Sequence, residues 1–177
     1  VLKRAEFLPE LTKGYEVMAV AGTHGKTTTT AMLIEALRAA GEDPSFILGA
    51  QIKGLGTNAH AGQSKYFVIE ADEYDHMFLG LTPRYSLITN IEHDHPDCFP
   101  TEADYLQAFK AFAKRTQAGG TLLLCGEDKL SQALRAHLGK QPFNIKTYGF
   151  GPKDDFRILD YVHAEQGYCF SLHEAES

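Results

Sequence analysis

The chain has no tryptophan and only three cysteines, Cys98, Cys125 and Cys169. An odd number without C-x-x-C spacing excludes a disulfide framework and a zinc knuckle, and predicts reduced thiols in a cytoplasmic setting. No apolar run approaches the roughly 18 residues that a membrane span needs, so no membrane partner is expected. Blocks of basic residues are missing too. With 17 Lys+Arg against 23 Asp+Glu the formal net charge is −6, which argues against a nucleic-acid surface but allows a local anion site. Neither an internal repeat nor a low-complexity tract occurs. The start, Val1-Leu2-Lys3-Arg4, has no Met, and the expectation is one domain over residues 1–177, taken from a longer chain. What is present suits such a domain: 44% hydrophobic and 23% charged residues, enough to bury a full core.

One further absence falls inside the most informative stretch, Val17-Met18-Ala19-Val20-Ala21-Gly22-Thr23-His24-Gly25-Lys26-Thr27-Thr28-Thr29-Thr30. An apolar run stops at a glycine-framed loop, and a lysine with a row of hydroxyls opens a predicted helix. Such a loop turns backbone N–H groups toward an anion at the positive end of a helix; Lys26 adds a point charge, and the Thr27 hydroxyl can ligate Mg²⁺. The common phosphate-loop spacing requires a glycine where this chain has Val20, so the strict pattern fails. A glycine-rich strand-to-helix turn with a solvated lysine is the plainer alternative.

Along the chain, periodicity predicts a short helix over 5–13, a strand at 16–21, and a helix over 27–40 with Met32, Leu33, Ala36, Leu37 and Ala40 on one face. A strand at 45–48 and a loop over 49–62 follow, then apolar strands at 66–70 and 85–89 that end on Glu70 and Asn90. A helix over 101–116 carries Tyr105, Leu106, Phe109, Phe112 and Ala113 on one face, with Thr101 and Asp104 spaced as a capping box. Next come a strand at 121–125, a helix at 128–138 closed by Gly139, a strand at 145–148, and an antiparallel pair at 156–162 and 168–172 around Glu165-Gln166-Gly167. Strands alternating with helices predict an α/β fold: a mainly parallel sheet, helices on both faces, and a C-terminal antiparallel edge hairpin. Ligands of such sheets sit at the carboxyl ends of the strands, which brings 22–30, 70–75 and 90–97 to one rim.

Glu70 stands where a phosphate-loop enzyme keeps the acid that holds Mg²⁺ opposite the loop hydroxyl. The string Glu70-Ala71-Asp72-Glu73-Tyr74-Asp75 supplies four carboxylates, and a solvated acidic turn accounts for Asp72 or Asp75 better than for Glu70. The second cluster, Asn90-Ile91-Glu92-His93-Asp94-His95-Pro96-Asp97, allows three readings: a transition-metal site, a turn held by side-chain hydrogen bonds, or a histidine that helps hold a second cation beside a nucleotide, with Asp94 orienting the imidazole.

The three motifs together, in this order and spacing, resemble the central ATPase domain of the Mur ligases. Gly22-Thr23-His24-Gly25-Lys26-Thr27 and Glu70-Ala71-Asp72-Glu73 are most similar to the branch that adds L-alanine to UDP-N-acetylmuramate, and the family's loop is the shortened Gly-Thr-x-Gly-Lys-Thr form. The resemblance implies a P-loop NTPase-like domain that binds ATP and Mg²⁺. By resemblance Gly22, Thr23, His24, Gly25, Lys26, Thr27 and Thr28 form the nucleotide loop, with Asn90 near the nucleotide. Lys26 grips the β- and γ-phosphates, Thr27 and Glu70 hold the first Mg²⁺, and His95 with Glu70 holds the second; Lys26 and His95 are the catalytic candidates. The implied reaction is ATP-dependent amide formation through an acyl phosphate, in peptidoglycan precursor synthesis.

Two departures and two alternatives belong to this reading. Tyr74 also resembles the branch that recycles murein tripeptide. Several relatives ligate the second cation with a carbamylated lysine, and Lys110 on the predicted helix reads as a solvated lysine instead. The implied partners are UDP-N-acetylmuramate, an amino acid, and the N- and C-terminal domains of a three-domain ligase, without which this domain is expected not to ligate. Outside the ligases, the same loop suits a nucleotide-binding P-loop module without acyl transfer, or a metal domain centred on the histidines.

Overall fold

The computed structural model describes residues 4–52, 54–165 and 167–175. Residues 1–3, 53, 166 and 176–177 lie outside the described residues, among them Gln166 of the expected Glu165-Gln166-Gly167 turn. In chain order the elements are α1 (Arg4–Leu11), β1 (Glu16–Ala21), α2 (Lys26–Ala39), β2 (Ser45–Ile47), β3 (Ala59–His60), β4 (Tyr66–Glu70), a 3₁₀ segment (Tyr74–Gly80), β5 (Tyr85–Ile88), α3 (Glu102–Ala113), β6 (Thr121–Cys125), α4 (Lys129–Leu138), β7 (Asn144–Gly149), β8 (Phe156–Ala164) and β9 (Gly167–Glu174). The expected elements are all present. Three features differ: a two-residue strand, β3, pairs antiparallel with β2 inside the expected loop at 49–62, the 3₁₀ segment is not among the expected elements, and α2 buries Thr30 and Ile34 while Met32, Ala36 and Ala40 of the expected face are exposed.

The strands form one sheet in the order β3-β2-β4-β1-β5-β6-β7-β8-β9. From β2 to β8 every pairing is parallel, and the antiparallel β8–β9 hairpin forms one edge. β1 lies between β4 and β5, with Val20 opposite both Glu70 and Leu87. Strands buried on both faces need apolar residues at consecutive positions rather than at alternate ones. In β4, Phe67 and Ile69 join one core cluster and Val68 the other.

The larger cluster lies under α1, the 3₁₀ segment, α3 and α4. Its aromatic part stacks Phe78 on Phe112 at 4.8 Å and sets Phe99, Tyr105 and Phe109 edge to face. α3 buries Tyr105, Ala108, Phe109, Phe112 and Ala113, the predicted face with Ala108 taking the place of half-buried Leu106. On the other face α2 covers Phe46, Leu48, Ile52 and Val68 with Ile34. Further along this face an apolar groove of 330 Å³ runs past Met18, Leu33, Tyr85, Leu87, Leu123 and Phe156.

The predicted capping box is formed. Thr101 Oγ1 accepts from the Asp104 N–H at 3.2 Å, and Asp104 Oδ2 accepts from the Thr101 N–H at 3.2 Å. Thr101→Ala removes half of this exchange and is expected to destabilise the domain by about 1 kcal/mol, lowering the melting temperature by about 2–4 °C in a calorimetric scan; an unchanged melt would show that the box contributes nothing.

Candidate nucleotide site at the strand ends

The hydrogen-bond ladder of the three central strands continues past their ends. Ala71 N donates to Val20 O at 2.8 Å, and Thr89 N to Ala21 O at 3.0 Å. The three motif loops therefore leave the sheet side by side. Gly22, at φ 133°, packs so closely on β5's exit that a Cβ there would meet Thr89 Oγ1 at 2.1 Å. Thr23 N donates to Asn90 O at 3.0 Å, His24 N to Asn90 Oδ1 at 3.0 Å, and Asn90 Nδ2 to His24 O at 3.0 Å. Asn90 thus acts on the loop itself, clamping the His24 peptide from both sides.

Gly25 caps α2 in the left-handed region, φ 81°, and offers no side chain to the first turn. The helix's opening N–H groups and its positive dipole end are left for an anion. On that turn Thr27 Oγ1 donates to Glu70 Oε1 at 3.0 Å, while Glu70 Oε2 accepts from Gly49 N at 2.7 Å. Thr28 is exposed one residue on. Lys26 Nζ, with its side chain 14% exposed, donates to Gly22 O at 2.6 Å and reaches Glu73, whose side chain is 0% exposed, at 2.9 and 3.1 Å.

Glu73 departs from the solvated acidic turn, whereas Asp75 beside it is exposed as that reading requires. Its Oε1 accepts from Lys26 and from Tyr105 Oη, both at 3.1 Å, and its Oε2 faces Nζ without an aligned hydrogen bond. Tyr105 is fully buried in α3. Burial first, and then the Glu73 charge, hold its phenol well above the usual tyrosine range. The Tyr105 hydroxyl also meets Thr23 Oγ1 at 3.0 Å, and Thr23 exchanges bonds with the Glu92 backbone at 2.8 and 2.9 Å.

The histidines separate. His93 Nε2 lies 2.8 Å from Phe99 O and the ring packs against Tyr105, which makes it structural. His24 is exposed, 3.5 Å from Glu92 Oε2. His95 sits in a tight turn at φ 53°, its carbonyl accepting from Cys98 N and Phe99 N. Two carboxylates lie near its Nε2, Asp94 at 3.9 Å and Glu73 at 4.0 Å, and no contact joins it to Glu70 among the described residues. Asp94 Oδ1 accepts from the His95 backbone N–H at 2.7 Å, which lowers the Asp94 pKa, and its Oδ2 lies 3.9 Å from Nε2, close enough to bear on the imidazole. Lys110, in the last turn of α3, enters no ion pair among the described residues.

The donor set suits a hard cation. Thr27 and Glu70 offer oxygen only, as Mg²⁺ prefers, and no group of three or more His, Cys, Asp or Glu could hold a metal among the described residues. A cation held by Thr27 and Glu70 would take its remaining ligands from outside the protein. A metal domain centred on the histidines lacks this geometry.

Residues 20–177 match the family described as the Mur ligase middle domain. The chain belongs to the Mur ligase family. This Mur ligase domain is 48% identical over 171 residues to the UDP-N-acetylmuramate–L-alanine ligase of Frankia casuarinae, covering 92% of the chain and 34% of that protein. The ligase of the same name from Salinispora arenicola is 41% identical, with 94% and 33% covered. The domain therefore spans about a third of the length of these relatives. Among solved structures, the UDP-N-acetylmuramate:L-alanyl-γ-D-glutamyl-meso-diaminopimelate ligase from Neisseria meningitides superposes with a TM-score of 0.83 at 26% identity, over 96% of this chain and 56% of that one. The UDP-N-acetylmuramate-alanine ligase from Thermotoga maritima gives 0.75 at 28%, over 93% and 35%.

Motif reasoning missed two residues of the Mur ligase rim, Glu73 and Tyr105. The available signal was chemical: a tyrosine on a core face carries a hydroxyl that needs a buried partner.

Gly22→Ala tests the loop's approach to the sheet. Backbone strain alone is expected to cost about 1–3 kcal/mol, with the Thr89 contact adding to it, in a denaturant titration; wild-type stability would contradict the loop geometry.

Proposed function

We propose that this Mur ligase domain binds Mg-ATP on the 22–30 loop and, within the full-length ligase, supports ATP-dependent addition of L-alanine to UDP-N-acetylmuramate in the cytoplasm. One observation carries the nucleotide reading: a left-handed Gly25 opens an uncapped helix whose first residues, Lys26 and Thr27, each meet a carboxylate of the neighbouring strand exit. The 48% identity to a ligase named for L-alanine favours that amino acid over the tripeptide of the structurally similar Neisseria enzyme, at 26%.

In this reading the α2 N-terminus and Lys26 bind the β- and γ-phosphates, and Thr27 and Glu70 hold the first Mg²⁺. His95 faces a second cation position, with Asp94 and Glu73 rather than Glu70 as the neighbouring acids. Bound cations supply charge that lets a substrate carboxylate approach the γ-phosphoryl group. The carboxylate oxygen forms the new bond to phosphorus as the bond to ADP breaks. The amine nitrogen of the amino acid then takes the acyl carbon, and inorganic phosphate leaves. The protein's contribution is orientation and electrostatics rather than covalent chemistry. A P-loop module without acyl transfer has no use for the His95 turn.

Isothermal titration of residues 1–177 is expected to show Mg-ATP binding without amide formation. Lys26→Ala should weaken it by at least about tenfold, the scale of one charge-assisted phosphate contact, and should also lower the melting temperature, because it strands buried Glu73. Thr27→Val keeps the shape and should remove the magnesium-dependent part of the affinity. Equal affinity in both variants would refute the nucleotide site. In the full-length parent, phosphate release with UDP-N-acetylmuramate should depend on L-alanine; release with the tripeptide and none with alanine would overturn the substrate assignment.

A further inference from the structure

Glu73 is the buried acid of this rim to which neither the phosphates nor the first Mg²⁺ gives a role. It touches no position assigned to phosphate, yet it is wholly buried and charged beside Lys26, and such burial seldom stabilises a fold on balance. We propose that Glu73 is the positioning residue of the cradle: it sets the direction of the Lys26 ammonium, and Tyr105 sets Glu73. The inference rests on the Mg-ATP reading of the loop and adds a determinant to it.

The Lys26 ammonium has three protons to place. One goes to Gly22 O at 2.6 Å, and one to Glu73 at 2.9–3.1 Å. The third has only Thr23 O, at 3.4 Å, a long and weak contact. Two firm anchors, one from the loop and one from the 70–75 strand exit, fix a side chain that otherwise has many rotamers. The loosely held third proton is the one an incoming phosphate oxygen can take without breaking either anchor. A latch that competes with phosphate would instead engage all three protons firmly.

Glu73 is in turn immobilised. Tyr105 Oη donates to Oε1 at 3.1 Å from a ring locked between Phe99 and Phe109. Through Thr23 the same hydroxyl reaches the 90–97 loop, and His95 Nε2 stands 4.0 Å from the same carboxylate oxygen. One buried carboxylate therefore lies between the loop lysine and the histidine, and α3 holds it in place.

The test measures affinity for Mg-ATP and, at millimolar concentration, for AMP, by displacement of a fluorescent ATP analogue, together with thermal melts. Glu73→Gln preserves size but removes the charge that aims Nζ; it is expected to weaken Mg-ATP by about tenfold while AMP, which lacks the β- and γ-phosphates, stays at the wild-type value. Glu73→Asp should restore part of the loss. Tyr105→Phe retains the ion pair and should give a smaller loss, again confined to Mg-ATP, so the proposal remains testable if Glu73→Gln does not fold. Equal losses for ATP and AMP would reduce Glu73 to a structural ion pair, tighter Mg-ATP binding would make it an inhibitory latch, and unchanged affinity would remove it from the site; each overturns the proposal. Absence of Mg-ATP binding by the wild-type chain would instead refute the nucleotide reading itself.

Discussion

The site depends on β1 being hydrogen-bonded in parallel on both sides. Because its neighbours β4 and β5 are aligned in the same direction, all three strands release their chains at one rim, and the ladder runs one residue further through Ala71 and Thr89. Without that alignment the glycine loop, the acidic string and the histidine turn would be three unrelated surface segments. With it, Gly22 lies against Thr89, Thr27 meets Glu70, and Lys26 reaches Glu73. Only glycine permits the first of these approaches, since a Cβ would occupy the space of the Thr89 hydroxyl.

A division of labour follows. Some residues face the proposed nucleotide position: the first turn of α2, Lys26, Thr27 and Glu70. Others hold those residues in place. Asn90 clamps the His24 peptide, Thr23 ties the loop to Glu92, and Glu73 with Tyr105 anchors the lysine. The holding residues come from elements remote in sequence, and this is how a loop with few contacts of its own acquires a single geometry. The two helical layers contribute differently, α2 by its dipole end and α3 by presenting one hydroxyl from within an aromatic cluster.

Most of the architecture was legible in the residues because each element carries its own local signal. Consecutive apolar residues in Tyr66–Ile69 require burial on both faces, and Thr101 with Asp104 closes the start of α3 as their spacing indicates. β3 was not legible: two residues in a polar segment have no period to detect, and their pairing depends on the β2 edge being free. The histidine cluster is the instructive case. His93 and His95 are equivalent in the sequence, but His93 is taken up by the Phe99 carbonyl, while His95 sits in a left-handed turn with Asp94 and Glu73 near its imidazole.

By itself the sequence determined that a glycine-framed loop opens α2, where it starts, and which hydroxyl and acid are proposed to serve a hard cation, because those properties reside in residue chemistry and short spacing. The tertiary structure alone decided which acid of Glu70-Ala71-Asp72-Glu73-Tyr74-Asp75 turns to the lysine. That choice rests on the chain's turn after β4 and on the Tyr105 hydroxyl arriving from a helix about thirty residues later. Four carboxylates in a row look alike until the packing buries one of them.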